Sequence, residues 1–139
     1  MRMEDEKPIF LRRSIAAINK GYLDKRLVYC IGFFETRDKD KEDDMIEIRD
    51  FDASRATAMS VIKQKLQTGE YKSFVFVNSC TISPKDNLNF KFVGITFYYI
   101  NEYGEDQATL LLYNKDGKCI GETEADWIKT IFDKEKLWK

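Results

Sequence analysis

The sequence predicts an α+β fold: one antiparallel sheet and three helices, ordered α-β-β-α-β-β-β-β-α, in a single domain over residues 1–139. Apolar runs of strand length recur between short polar turns, and the last four lie close enough together for a meander. Apolar residues at helical spacing begin, interrupt and end that series. Aromatics make up 14% of the chain, with 10 Phe and 7 Tyr, and such residues suit the half-buried surface of a sheet. A globular domain of this length buries roughly two-thirds of the surface its unfolded chain exposes, enough for a core without staples.

Pro8 suits the first turn of a helix in which Leu11, Ile15, Ile18 and Tyr22 share one face, and Gly21 suits its end. Residues 26–35 follow as a strand that is apolar on both parities and therefore covered on both faces. The charged run 36–44 forms a loop, and 45–51 alternates Ile46 and Ile48 with Glu47 and Arg49 as a half-exposed strand. These two strands form an N-terminal hairpin. Asp52 or Ser54 caps a second helix whose stripe is Ala58, Met59, Ile62 and Leu66, with Gly69 just past its end.

The meander follows. Residues 71–83 form a long strand, with Phe74 and Phe76 on one face and Val75 and Val77 on the other. A turn at 84–87 leads into a strand at 88–100 whose apolar parity shifts near Gly94, as at a bulge. A polar turn at 101–106 precedes strands at 108–113 and 118–122, joined by a turn containing Asp116 and Gly117. Thr123 with Asp126 resembles a capping box and starts a final helix that Trp127 and Ile131 anchor to the sheet. The helices are expected on one face of the sheet.

Composition excludes more functions than it suggests. There is no histidine, so the usual Ser-His-Asp and Cys-His nucleophiles and His-ligated metal sites are absent. No glycine-rich phosphate loop or GxSxG elbow occurs among 7 glycines. No cofactor or metal is expected. Net charge is -1, which disfavours a nucleic-acid or anionic-membrane partner. The first eight residues are charged and lack an apolar stretch, arguing against a secretory leader. The apolar run at 92–100 is too short to span a bilayer. Cys30, Cys80 and Cys119 are widely spaced and are expected as buried, reduced thiols of a cytoplasmic chain.

Four features could carry function. Residues 38–52 hold eight acids and three bases, a local charge of -5. Asp38, Asp40 and Glu42 have the spacing that opens a calcium loop, but Asp43 stands where that loop needs glycine and Arg49 where it needs a bidentate glutamate. Glu35 and Glu47, on opposite arms of the hairpin, form a candidate carboxylate pair. Phe74, Phe76, Phe90 and Phe92 lie among lysines, and the expected role is core beneath a helix. Tyr98, Tyr99, Tyr103 and Tyr113 crowd one end of the meander, where rigid rings with polar tips favour an interaction surface.

The function these features support is non-catalytic protein binding, by an inhibitor, immunity or anti-defence protein whose partner has a basic surface. All seven arginines lie within the first 55 residues, which places polar contacts in the N-terminal half. The candidate contact residues are Arg37, Asp38, Asp40, Glu42, Asp43, Asp44, Arg49, Arg55, Tyr98, Tyr99 and Tyr103. The competing reading is a small-molecule or lipid pocket between sheet and helix, with any chemistry supplied by Asp, Glu, Tyr or Cys.

Overall fold

Phe74 and Val75 are neighbours on one strand, point to opposite faces, and are both 0% exposed. This is possible only in a sheet covered on both sides. A computed structural model of the chain describes residues 7–25, 30–48, 55–82, 92–114, 118–132 and 136–138. The elements run α1 (Ile9–Lys25), β1 (Cys30–Thr36), β2 (Asp44–Ile48), α2 (Arg55–Gln67), β3 (Tyr71–Ile82), β4 (Phe92–Asn101), β5 (Asp106–Tyr113), β6 (Cys119–Glu124) and a 3-10 helix (Asp126–Ile131). The expected α+β class and element order hold.

All the strands join one antiparallel six-stranded sheet in the order β2-β1-β3-β4-β5-β6. The N-terminal hairpin is not separate from the meander, because β1 pairs with β3 from Ile31–Val77 to Thr36–Tyr71. On one face Phe34, Phe74, Phe76 and Tyr98 pack against Met59, Ile62 and Leu66 of α2 and Ile128 of the 3-10 helix. On the other, Val75, Val77, Ile95, Phe97 and Leu111 pack against Phe10, Leu11 and Ile18 of α1. The expectation of helices on one face is thus corrected.

The same geometry explains the parity shift near Gly94. The β3–β4 register is unbroken from Ser73–Asn101 to Ile82–Phe92, so no bulge occurs there. Apolar residues appear on both parities because both faces are buried. Irregularities lie instead between Glu35 and Thr36 on β1 and between Leu112 and Tyr113 on β5. Gly32 on β1 permits close packing: a Cβ there would lie 2.9 Å from Phe74 Cε1 and 3.2 Å from Ile46 Cγ1. Gly69 follows α2 with φ of +81°, the left-handed conformation that helix ends favour.

The helical stripes are placed as their spacing requires, with Ile15 half-buried and the Tyr22 side chain outside the described residues. Leu11 and Ile18 of α1 and Ala58, Met59, Ile62 and Leu66 of α2 are buried. Gly21 does not end α1, which continues to Lys25. The Tyr113 hydroxyl donates to Asn19 Oδ1 and ties α1 to β5.

The C-terminal region differs most from expectation. Thr123 belongs to β6, opposite Leu110, and caps nothing. The helix that follows is a 3-10 turn entered through Ala125 without a side-chain cap. Trp127 is 55% exposed, and Ile131 is half-buried. The aromatic anchor is Phe132, whose ring meets Phe76 edge-on at 5.1 Å and stacks on Tyr98 at 5.2 Å. Short 3-10 geometry eclipses residues three apart and turns Trp127 outward while Ile128 points inward. Cys30 is buried as expected, whereas Cys119 lies exposed on an edge strand. The capping residues Asp52 and Ser54, the turn at 84–87, Phe90, and Asp116 with Gly117 lie outside the described residues.

Candidate interaction site

The loop joining β1 to β2 is a braced structure. Thr36 N–H donates to Asp43 Oδ1 at 3.0 Å, closing the loop base. Inside it, Asp38 N–H donates to Thr36 Oγ1, Asp40 N–H to Asp38 Oδ1, and Lys41 N–H to the Asp38 carbonyl. Short polar side chains that accept backbone N–H groups in this way favour turns over strands. Residues 37–43 are all exposed.

Arg37 fixes the loop to the rest of the fold. Its Nε donates to the Gly69 carbonyl at 2.7 Å, just past α2. Its two terminal nitrogens hold the Glu102 carboxylate at 2.6 and 2.8 Å. This bidentate pairing raises the Arg37 pKa and lowers that of Glu102. Glu102 lies in the β4–β5 turn, so the bond brings that turn, with Tyr103 81% exposed, beside the loop.

Two of the loop's acids are neutralised by side chains distant in sequence. Arg13 of α1 bridges Asp43 at 3.1 Å and Glu35 at 3.3 Å. Glu35 also accepts the Ser73 hydroxyl at 2.6 Å and lies 3.8 Å from Lys72 Nζ. Asp44 pairs with Lys65 of α2 and accepts the Tyr71 hydroxyl at 3.2 Å. The Lys65 ammonium also lies 5.4 Å from the Phe34 ring centroid and 5.7 Å from that of Tyr71, within cation–π range. The hydrogen bond to Lys65 lowers the Asp44 pKa and raises that of Lys65, in each case against desolvation.

Between α1 and the loop lies an open cleft of about 430 Å³, lined by charged and polar side chains. Arg13, Arg37, Lys39, Lys41 and Lys72 line it together with Glu35, Asp38, Glu42 and Asp43. Over the described loop the acidic run is therefore not a bare acidic surface but an alternation of signs. Lys39, Asp40, Lys41 and Glu42 form no ion pair among the described residues.

The expected contact residues divide into four groups. Arg37, Asp38, Asp40, Glu42, Asp43 and Tyr103 come together at this end of the sheet. Asp44 is built into the base, and Arg37 spends its donors within the chain. Tyr98 and Tyr99 are buried at 3% and 9%, so the tyrosines do not form one surface. The Tyr98 hydroxyl donates to Asp106 at 3.1 Å, and burial raises the Tyr99 pKa. Arg49 and the side chain of Arg55 lie outside the described residues.

The carboxylate pair is not formed. Glu47 sits opposite Ile31, four residues along β1 from Glu35, or about 13 Å at the usual strand rise. Glu35 meets Arg13 and Ser73 instead. Among the described residues no group of three or more His, Cys, Asp or Glu could hold a metal ion, and no helix is long and apolar enough to cross a membrane. Arg13, Lys65 and Glu102 were not anticipated, because each acts through a pairing distant in sequence.

No family model, curated protein or solved structure matches this chain. The functional reading therefore rests on the geometry.

Proposed function

We propose that the chain is a non-catalytic protein-binding domain that docks a partner through the 37–43 loop and the adjoining β4–β5 turn. The observation that carries this reading is the Arg37 brace. It fixes the base of a loop whose tip, Asp38 to Glu42, stands exposed with alternating charge. A loop ordered before binding loses less entropy on docking, and fixed charges confer specificity. Tyr103 supplies an amphipathic ring beside the charges, a residue type enriched at binding hot spots. The partner presents basic side chains to Asp38, Asp40 and Glu42 and acceptors to Lys39 and Lys41. Binding of this kind fits an inhibitor or immunity protein, which works by occupying its target.

The cleft favours this reading over a lipid or apolar-ligand pocket. Such pockets are lined mainly by hydrophobic and aromatic side chains, whereas this one is open and lined by ionic groups.

A photo-crosslinking residue at position 39 or 41 tests the proposal in lysate of the source organism. The expected result is a discrete crosslinked protein, lost when Tyr103→Ala is introduced. Equal crosslinking from a control position on α2, such as 64, would assign the products to random encounter and remove the loop from consideration.

A further inference from the structure

We infer that the outer edge of β6, the last strand of the sheet among the described residues, is a strand-addition site for an extended segment of a partner protein with a basic side chain opposite Glu124. β6 ends the sheet and is exposed over Cys119–Glu124 except at Gly121, which is half-exposed. Ala125 N–H donates to the Ala108 carbonyl at 3.3 Å, so these residues form a hydrogen-bonded pair. The antiparallel alternation then puts Thr123, opposite Leu110, in the same state. Glu122 and Glu124 are left with N–H and C=O groups directed away from β5. Those are the groups an added strand pairs with.

Their side chains set the chemistry of the occupant. Glu122 and Glu124 share the α1 face of the sheet, and both are exposed. Lys7, just before α1, already bridges Glu122 Oε1, so Glu124 is the carboxylate left to meet an incoming cation. A second copy fits poorly. Pairing β6 with β6 sets acid opposite acid, and β2, the other terminal strand of the described sheet, carries exposed Glu47 on the same face. Like charges directly opposite destabilise a strand pair, whereas opposite charges support it. Trp127, exposed just beyond β6, offers an aromatic anchor near the end of the added strand. This surface belongs to the opposite edge of the sheet from the 37–43 loop and does not depend on it.

The test is residue-resolved amide exchange during titration with a synthetic peptide alternating lysine and threonine. Protection of the Glu122 and Glu124 amides by tenfold or more, with little change at Thr123, is the expected result. A peptide of the same charge with N-methylated backbone should give no protection, and Glu124→Lys should weaken the unmethylated peptide several-fold. The loop variant D38N/D40N/E42Q should bind it unchanged, so this inference and the loop reading fail separately. Absence of protection at millimolar peptide, or equal binding of the methylated peptide, overturns the inference. Protection that arises from concentrating the protein alone also overturns it and makes a second copy the occupant.

Discussion

Arg37 and Glu102 lie 65 positions apart and meet in a bidentate pair at 2.6 and 2.8 Å that joins the β1–β2 loop to the β4–β5 turn. Lysine cannot reproduce it, because an ammonium is a point donor and the guanidinium a planar fork. Arg37→Lys should therefore loosen the loop more than it destabilises the fold. Both groups reach solvent, so the expected loss is about 1 kcal/mol or less. Amide exchange at Lys41, which donates to the Asp38 carbonyl, should speed up while the β3 amides stay protected. Unchanged exchange at Lys41 would show that the loop holds itself without Arg37.

Phe132, not the Trp127 expected from sequence, should be the anchor of the C-terminal turn. Phe132 is buried among Phe74, Phe76 and Tyr98, and Phe132→Ala should cost about 3–5 kcal/mol. Trp127 is mostly exposed, and Trp127→Ala should cost less than about 1 kcal/mol. Urea denaturation midpoints with unchanged slopes check both values.

Asp44 should contribute to an acid limb of stability. The Lys65 ammonium holds its carboxyl below the ordinary 3.8. The contribution is complete above that ordinary value and disappears as pH falls through the depressed one. Lys65, held above its ordinary 10.5, contributes below that value and loses its part as pH rises through the raised one. Asp44→Asn should lower stability at neutral pH and flatten the decline into acid. A variant whose decline matches the wild type would place the acid sensitivity elsewhere.

Thiol reactivity should divide by position. Cys119 is exposed on β6 and should react with a bulky thiol reagent in the native state, whereas buried Cys30 should react only on unfolding. Mass-resolved labelling of the native protein separates the two.

The sequence made much of this architecture legible because hydrophobic period reports burial directly. Leu11 and Ile18 on α1, and Ile62 and Leu66 on α2, fall where their spacing puts them. The signal failed where one pattern has two causes. Apolar residues on both parities of β4 suggested a bulge at Gly94, but they arise from a second helical layer on the far face. It failed again where local chemistry was overridden: Thr123 has the residue type of a cap, yet continued β5 pairing takes it into β6. At the candidate site the acidic run was visible, but its neutralisation was not. Arg13, Lys65 and Glu102 reach the loop from α1, α2 and the β4–β5 turn through tertiary pairings that leave no local trace.

The geometry also changes which loop variant is informative. Replacing Asp43 or Asp44 removes a brace together with a charge, because each carboxylate holds a backbone N–H and a cation. D38N/D40N/E42Q removes charge alone and preserves the Asp38 acceptor for Asp40 N–H. Its melting temperature should stay close to that of the wild type.

If the tip at Asp38, Asp40 and Glu42 meets a basic partner surface, as proposed, the association rate with the captured partner must depend on ionic strength through those three carboxylates. The wild type should associate faster at low salt and slow as salt screens the attraction, while D38N/D40N/E42Q should associate several-fold more slowly and with a shallower salt dependence. Identical rates and identical salt slopes for the two proteins would contradict the claim and leave the loop a solvated connection between two strands.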